Sequence, residues 1–300
     1  MNSLPKISVV TITYGHQDYI TETLDGVFMQ QYDGPIEFII ANDNSPDNTD
    51  QVIKDYLATH KIPENFEVKY TKHPQNMGMM PNFIWALNQA TTSYIALCEG
   101  DDYWTDPLKI KKQIDFLEKN LDYALVCTQC NTTTENRSEL QDRKEVSPQD
   151  ILHHNPISTL TTVFRNDKKI IDNLNSNFLL IGDYQLWLEF AIRHKIMKLG
   201  DNTAFYRILS NSASGRNDYK KAVEFEKTIL LITEKYLSYF DLKPSERNSI
   251  LSERYSYVIS KSQQRKLYKQ IIYLIGFFWK YRYFDINLVK QIASKFRRYT

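Results

Sequence analysis

Short apolar, β-branched runs alternate with segments of helical periodicity in the first part of the chain. The apolar runs predict buried strands, and the segments between them carry apolar residues three and four positions apart, as helices do. The predicted strands are Ile7–Thr13, Ile36–Ala41, Glu67–Thr71 and Tyr94–Cys98. This strand–helix order predicts an α/β fold with a doubly wound, mostly parallel sheet, flanking helices and right-handed crossovers.

The later part of the chain has a different pattern. Residues 123–208 mix short strands with loops, and the pattern is helical from about Tyr219 to the end. We therefore expect one domain over residues 1–215, followed by an all-helical C-terminal region over residues 216–300. In doubly wound sheets, ligands bind beyond the carboxyl ends of the strands. The loops that follow the predicted strands are thus the first place to look for a site.

Three carboxylates follow the fourth predicted strand within the four residues Glu99-Gly100-Asp101-Asp102. At the end of a buried strand they repel one another unless a cation or hydrogen bonds offset their charge. The Glu-x-Asp spacing lets two side chains converge on one point, and hard divalent cations bind carboxylate and phosphate oxygens. The alternative is an acidic turn that caps the helix opened by Asp106-Pro107. Taken alone, the stretch leaves both interpretations open.

The two glycine-rich phosphate-binding motifs are missing: Gly-x-x-x-x-Gly-Lys-Ser/Thr, and Gly-x-Gly-x-x-Gly after the first strand. Their absence argues against a P-loop ATPase and a dinucleotide dehydrogenase. Side chains could hold a nucleotide instead. Tyr14, just past the first strand, can stack on a base, and Asp43, just past the second, can accept a hydrogen bond from a base N–H. The alternatives are an ordinary aromatic residue at Tyr14 and an Asx turn at Asp43.

A single acid, Asp183, follows the apolar run Phe178–Ile181. One carboxylate near a metal-bound diphosphate is what a general base requires, because it can take the proton from an attacking hydroxyl. The alternative is an N-cap for the helix predicted over residues 184–192. The two roles are compatible.

Composition is that of a soluble globular protein, with 42% hydrophobic and 24% charged residues. The N-terminal residues lack the apolar core of a signal peptide. The longest uncharged apolar run near the end, Ile271–Trp279, is far below the roughly 20 residues that span a bilayer. The three cysteines, Cys98, Cys127 and Cys130, form no disulfide framework, which fits a reducing cytoplasm. No nucleic-acid partner is expected.

The C-terminal segment is strongly basic. From Arg254 to Thr300 there are eleven Lys and Arg residues and one acid, Asp285, so this segment carries a net charge of +10 and residues 1–253 carry −9. Apolar residues recur there at helical spacing, at Ile286, Val289, Ile292 and Phe296. Such a segment can bind the anionic inner face of the cell membrane. Alternatively, its helices pack on the first domain or drive self-association.

The motifs taken together resemble those of the family 2 glycosyltransferases, an inverting group with the GT-A fold. The similarity covers roughly residues 5–215. It rests on the order and spacing of five blocks: Ser8–Tyr14, Asn42–Ser45, Asn76–Gly78 before Asn82, Tyr94–Asp102 and Gly182–Trp187.

The resemblance implies a role for each candidate residue. Tyr14 would stack on the base of a nucleotide-sugar donor, and Asp43 would bind the edge of that base. Asp101 would bind a divalent cation, Mg²⁺ or Mn²⁺, with Glu99 near the metal or the ribose. The remaining roles are support of the metal or sugar by Asp102, the catalytic base at Asp183 and contact with the diphosphate at Arg207. Ser212 or Ser214 could also touch the diphosphate.

Departures from the family pattern refine this expectation. Glu99 stands where many members have Asp, and Leu209 stands where many have His after Tyr206-Arg207. The Gln-x-x-Arg-Trp signature of processive synthases is absent, which favours transfer of one sugar per encounter over growth of a polymer. The resemblance thus implies a non-processive hexosyl- or N-acetylhexosaminyltransferase in surface polysaccharide synthesis. It would move sugar from a UDP-sugar to a glycan or lipid-linked acceptor.

Two rival functions remain at this stage. A nucleotidyltransferase would share the sheet and the metal but needs a basic, glycine-rich loop after the first strand, which Gly15-His16-Gln17 does not supply. A non-catalytic nucleotide-sugar or carbohydrate-binding protein would share the fold without the base.

Overall fold

A computed structural model of the 300-residue chain describes most of its first 261 residues. The described residues are 4–135, 143–174, 181–209 and 219–261, with single positions at 272, 275, 276, 279, 280 and 290. The chain forms two compact units. Met1–Ser147 and Pro156–Ile208 form the first, and Pro148–Asn155 and Leu209–Thr300 form the second. The predicted boundary between residues 215 and 216 lies outside the described residues.

The strands of the first unit are β1 (Ile7–Thr13), β2 (Ile36–Asn42), β3 (Phe66–Lys72), β4 (Tyr94–Leu97), β5 (Tyr103–Trp104), β6 (Tyr123–Thr132), β7 (Lys144–Val146), β8 (Val163–Arg165) and β9 (Lys195–Tyr206). Its α-helices are α1 (Ile20–Phe28), α2 (Thr49–Thr59), α3 (Met79–Gln89), α4 (Lys109–Lys119), α6 (Lys168–Asp172) and α7 (Asp183–Arg193). The second unit contains α5 (Pro148–His154), α8 (Tyr219–Tyr236) and α9 (Pro244–Lys261).

The strands form one mixed sheet in the order β3-β2-β1-β4-β8-β6-β9-β5, with β7 paired to β9. The half made of β3, β2, β1 and β4 is parallel, and its strands pair without a shift in register. In the pairing of β1 with β2, Ile7 lies opposite Ile36 and Thr13 lies opposite Asn42. β8 then runs antiparallel to both β4 and β6. The doubly wound α/β fold and all four predicted strands are confirmed. Each observed strand lies within one residue of its predicted bounds.

The parallel half is the buried centre of the first unit. Every residue of β2, and every residue of β1 except Ile12, is buried, because helices cover both faces of a parallel sheet. From α1, Ile20, Leu24 and Val27 pack into this core with Phe38. These are the positions at which the helical periodicity of the sequence placed apolar residues.

Helix α1 lies directly against the backbone of β5. A methyl group built on Gly26 would come within 2.8 Å of the Trp104 nitrogen and 2.9 Å of its carbonyl oxygen. The Trp104 indole N–H in turn donates to the Leu160 carbonyl (2.8 Å). The absence of a side chain at Gly26 therefore sets how closely α1 approaches the residues that follow the acidic turn.

In the second unit, α8 packs on α9. The Arg254 guanidinium of α9 donates to the Leu152 and Ile151 carbonyls at the end of α5. In the described parts of the chain, none of the helices is both long and apolar enough to cross a bilayer. The predicted C-terminal stripe of Ile286, Val289, Ile292 and Phe296 lies outside the described residues, so its binding to a membrane stays a prediction.

Gly26→Ala is expected to destabilise the protein, although alanine usually stabilises a helix by about 1 kcal/mol relative to glycine. The added methyl group must displace the Trp104 backbone, and overpacking of this kind costs about 1–3 kcal/mol. Denaturant titration followed by circular dichroism measures the change. Thr21→Ala, at an exposed position of the same helix, is the matched control and should be nearly neutral. A Gly26→Ala protein more stable than wild type would contradict the close contact.

Candidate functional site

Three loops meet at the carboxyl end of β1. The Asp43 N–H, just after β2, donates to the Thr13 carbonyl (3.0 Å), and the Gly100 N–H, just after β4, donates to the Ile12 carbonyl (3.0 Å). Because the strands are parallel, their carboxyl ends share one edge of the sheet. The turn at Asp43 and the acidic turn at residues 99–102 thus flank the loop that carries Tyr14.

The acidic turn is pressed against the end of β1. A methyl group on Gly100 would lie 2.6 Å from Thr13 Oγ1 and 3.0 Å from His16 Nδ1, so only glycine fits there without displacement. Two hydrogen bonds hold Asp102, the last residue of the turn. The Thr23 hydroxyl donates to the Asp102 carbonyl (2.6 Å), and the Arg207 backbone N–H donates to Asp102 Oδ1 (2.7 Å). These bonds fix the turn from α1 and from the end of β9.

The helix-capping alternative for this turn is not what the structure shows. At the start of α4 it is Asp106 that accepts a hydrogen bond, from the Leu108 N–H (2.8 Å). Asp102 bonds to Arg207 instead. The carboxylates of residues 99–102 therefore gather at the sheet edge for a reason other than capping.

One carboxylate oxygen of Glu99 is an unsatisfied hydrogen-bond acceptor among the described residues. Its Oε2 atom is buried and has no partner in the described residues. Burial, together with the charges of Asp101 and Asp183, raises the pKa of Glu99 to about 8, although the Thr159 hydroxyl acts in the opposite direction. Burial, with Asp101 and Glu99, also raises the pKa of Asp102. The ionised forms of these groups are thus costly in the free protein.

Asp183 opens α7 and belongs to the same electrostatic environment. The Thr159 hydroxyl donates to its Oδ2 (2.9 Å), and the Tyr184 N–H donates to its Oδ1 (2.7 Å). Burial raises the pKa of Asp183, and these two hydrogen bonds act in the opposite direction. Gly182, not Asp183, occupies the N-cap position of α7. Asp183 is therefore a half-buried carboxylate that two hydrogen bonds hold in place near the acidic turn.

Arg207 is the cation behind the acidic turn. Its guanidinium donates to the Asp101 carbonyl (2.7 Å) and pairs with Glu22 (2.6 Å). It also lies over the rings of Tyr103 and Tyr19, at 4.5 and 5.2 Å from their centroids. These contacts tie Arg207 to the turn. Its predicted contact with a diphosphate stays a prediction.

Asp43 is buried, and both its oxygens accept backbone hydrogen bonds, from the N–H groups of Met77 (2.7 Å) and Gly78 (2.9 Å). Asp43 thereby holds the loop before α3, and each of its carboxylate oxygens can accept one more hydrogen bond. The Asx-like turn predicted here is made by Asn42, whose Oδ1 accepts from the N–H and hydroxyl of Ser45 (both 2.8 Å). Tyr14 is 47% exposed, so its ring face is open to a ligand.

Sequence reasoning gave no role to three residues that the fold brings to this site. His16 Nε2 lies 3.9 Å from Asp101 Oδ2, and Thr159 bonds to Asp183. Burial and the charges of Asp102, Glu99, Asp101 and Asp183 raise the pKa of Tyr206, so its phenol belongs to the same electrostatic environment. His16 could have been found from its place two residues after Tyr14. No local pattern marks Thr159.

The surroundings of His16 favour the neutral form of its imidazole. Burial lowers its pKa, and the Arg207 charge acts in the same direction, whereas Asp101 and Asp47 raise it. Its Nδ1 lies 3.2 Å from Thr13 Oγ1. A neutral imidazole beside a carboxylate supplies a nitrogen lone pair or an N–H, depending on its tautomer.

The carboxylate side chains at this edge of the sheet suit a divalent cation that binds together with a phosphate-containing ligand. The described residues contain no group of three or more His, Cys, Asp and Glu side chains arranged to enclose a metal ion. The orphaned Glu99 Oε2 and the crowded carboxylates nevertheless leave a site that positive charge would stabilise. Mg²⁺ commonly binds through one or two carboxylates with phosphate oxygens in the remaining positions. The edge is thus suited to a cation that arrives with a phosphate-containing ligand.

Solved structures share this fold. TarS 1-349 of S. aureus, in a complex with UDP-GlcNAc, superimposes with a TM-score of 0.66 at 18% identity, covering 91% of this chain and 80% of that one. The mannosyltransferase PcManGT of Pyrobaculum calidifontis, in a complex with GDP-Man and Mn²⁺, gives 0.60 at 13% identity, covering 98% and 87%. The expected GT-A-like fold is confirmed.

Sequence comparison points to the same group. The uncharacterized protein Rv1520 of Mycobacterium tuberculosis (strain ATCC 25618 / H37Rv) is 34% identical over an alignment of 207 residues that covers 67% of this chain. The match spans 58% of that relative's own length. The family model for glycosyl transferase family 2 matches residues 8–182, from β1 through the acidic turn to the residue before Asp183. With this match over more than half of its residues, the chain belongs to glycosyl transferase family 2.

Proposed function

We propose that the protein is an inverting, metal-dependent, non-processive glycosyltransferase that uses a nucleoside diphosphate sugar as donor. The observation that carries the proposal is the proximity of Asp183 to the acidic turn at the carboxyl edge of the parallel sheet: the Thr159 hydroxyl donates to Asp183 Oδ2 (2.9 Å), and Thr159 lines one small cavity together with Glu99. A site for the diphosphate and a candidate base are thus adjacent in a chain of this family.

The proposed donor site follows the order of the parallel strands. Tyr14 stacks on the base, and Asp43 accepts a base N–H at the next loop. UDP is the proposed nucleotide, and a hexose or N-acetylhexosamine is the proposed sugar. The shared fold with the UDP-GlcNAc complex of TarS supports this assignment, whereas the GDP-Man complex of PcManGT makes GDP the alternative nucleotide to test.

The acidic turn is proposed to hold the diphosphate through a divalent cation, Mg²⁺ or Mn²⁺. Asp101 is the proposed ligand, with Glu99 beside it. When bound, the cation offsets the negative charge that grows on the leaving nucleoside diphosphate. Asp102 holds the turn in place through the Arg207 N–H. The Mn²⁺ in the PcManGT complex supports this choice.

Asp183 is the proposed general base. Its carboxylate takes the proton of the acceptor hydroxyl as that oxygen attacks the anomeric carbon from the face opposite the diphosphate. The new glycosidic C–O bond forms while the bond from the anomeric carbon to the phosphate oxygen breaks, so the configuration inverts. The Thr159 and Tyr184 hydrogen bonds orient the carboxylate. One catalytic carboxylate suffices because no covalent intermediate forms.

A glycan or lipid-linked acceptor in surface polysaccharide synthesis is the proposed second substrate. The basic C-terminal segment would then bring the enzyme to the anionic inner face of the membrane where a lipid-linked acceptor lies. Of that segment, Ile272, Ile275 and Trp279 are described and exposed.

The direct test is a panel of UDP- and GDP-sugars, measured for binding by calorimetry with and without Mn²⁺ or Mg²⁺. The sugars that bind are then assayed for transfer to glycan and lipid-linked acceptors, with NMR analysis of the anomeric configuration. Metal-dependent donor binding followed by transfer with inversion is expected. Donor binding without transfer to any acceptor would favour a non-catalytic binding protein.

Asp101→Asn is expected to abolish metal-dependent donor binding, because it removes a charged ligand from the proposed cation site. Calorimetric titration of the best donor, with Mn²⁺ present, measures the loss. Asp115→Asn, in a half-buried surface pair with Lys111 (2.8 Å), is the charge-matched control and should bind normally. Undiminished metal-dependent binding by Asp101→Asn would remove Asp101 from the site.

Asp183→Asn is expected to keep donor affinity and to lower the turnover number by roughly 10²–10⁴-fold, the usual contribution of a general base. The base must be deprotonated, so wild-type turnover should rise with pH through a pKa above the ordinary 3.8 of aspartate, since burial raises it. That rise should disappear in the variant. Asp172→Asn, at an exposed position of α6, serves as control. Collapse of donor affinity in Asp183→Asn would indicate a structural or donor-binding role.

A further inference from the structure

We propose that His16, in the loop after β1, is a ligand of the cation that Asp101 binds. The protein would then hold the ion through one imidazole nitrogen and one carboxylate, and the diphosphate oxygens of the donor would complete the coordination. This inference rests on the proposed function, because it adds a ligand to the same site.

The spacing of the two side chains is too wide for a hydrogen bond and leaves room for a shared ion. His16 Nε2 and Asp101 Oδ2 are 3.9 Å apart, which is beyond hydrogen-bond distance. Metal–nitrogen and metal–oxygen bonds are about 2.1 Å long, so an ion can contact both atoms across this gap. Both side chains are 20–26% exposed, which leaves the gap accessible to a ligand.

The other ring nitrogen of His16 already has a partner. Nδ1 lies 3.2 Å from Thr13 Oγ1 at the end of β1. Metal-binding histidines usually hydrogen-bond through the nitrogen that does not bind the metal, which fixes the ring and its tautomer. Thr13 therefore leaves Nε2 as the nitrogen that faces the acidic turn.

The backbone of this loop is fixed before any ligand binds. Three consecutive N–H groups donate to side chains between β2 and the start of α2: Gly15 to Ser45 Oγ (3.0 Å), His16 to Thr49 Oγ1 (2.9 Å) and Gln17 to Asp47 Oδ2 (3.1 Å). Such cross-links preorganise a ligand set.

Gly100 completes the arrangement from the other side. Because it has no side chain, the acidic turn approaches the ring until only 3.0 Å would separate a methyl group there from His16 Nδ1. A larger residue would push Asp101 and His16 apart. The close approach thus favours a site built from both loops.

A second observation favours a cation at the acidic turn. Glu99 Oε2 is a buried oxygen with no hydrogen-bond partner in the described residues, and it precedes Asp101 by two positions. The groups that face His16 are Asp101 and Asp47, which are acidic, and Arg207, which is tied to Glu22. The Arg207 guanidinium contacts the Asp101 carbonyl and Glu22, and among the described residues His16 is the basic side chain that lies beside the Asp101 carboxylate.

The test is electron spin-echo spectroscopy of Mn²⁺ bound with UDP to the full chain. Modulation from a directly coordinated imidazole ¹⁴N is expected in the wild type. It should vanish in His16→Asn, whose amide can still meet Thr13 but lacks an atom at the Nε2 position. Loss of one protein ligand should also weaken Mn²⁺ affinity roughly tenfold or more.

His60→Gln, an exposed histidine at the end of α2, is the matched control and should keep the ¹⁴N signal. His16→Gln provides a second variant should His16→Asn unfold, and it should also lack the signal. Mn²⁺ that binds with UDP but without ¹⁴N coupling, or coupling that persists in both His16 variants, would overturn the inference and leave the proposed function standing. Failure of the wild type to bind Mn²⁺ with UDP would instead contradict the proposed metal dependence itself.

Discussion

Loss of hydration by the carboxylates at the end of β4, together with their mutual repulsion, is the constraint on which the site of the first unit depends. Burial makes the ionised forms of Glu99, Asp102 and Asp183 costly. A fold optimised only for stability would not place them together, since unpaired buried charge is among the most destabilising features a protein can carry. Such clusters are typical of sites whose ligand supplies the missing positive charge.

The surrounding structure holds these groups without neutralising them. The Arg207 guanidinium donates a hydrogen bond to the Asp101 carbonyl and pairs with Glu22. The Arg207 backbone N–H donates to Asp102. Thr159 orients Asp183 with a neutral hydroxyl. The parallel half of the sheet provides the rigid frame, because Thr13 and Ile12 accept backbone hydrogen bonds from the loops on either side. Loops fixed in this way can present polar groups in a defined geometry.

Much of the fold and part of the site could be predicted from the sequence. The four parallel strands are apolar runs bounded by turn residues, and helix α1 follows an apolar period of 3.6, so local patterns suffice for both. The alternatives at single residues could not be decided in this way. Asn42 rather than Asp43 forms the Asx-like turn, and Asp106 rather than the acidic turn contacts α4. Each pair of candidates has similar local chemistry, and only the path of the chain separates them.

The sequence by itself determined the order of strands and helices, the acidic turn at the carboxyl end of a strand, and the family to which the chain belongs. These features depend on residues close together in the chain, where hydrophobic period and turn chemistry act directly. Tertiary structure alone decided that Thr159 meets Asp183, 24 positions away, and that Arg207 closes on Asp102 across 105 positions. It also decided that His16 faces Asp101. Such contacts arise from the pairing of β8 between β4 and β6 and from the close backbone approach at Gly100. No local pattern encodes them, because they require distant segments to share one sheet edge.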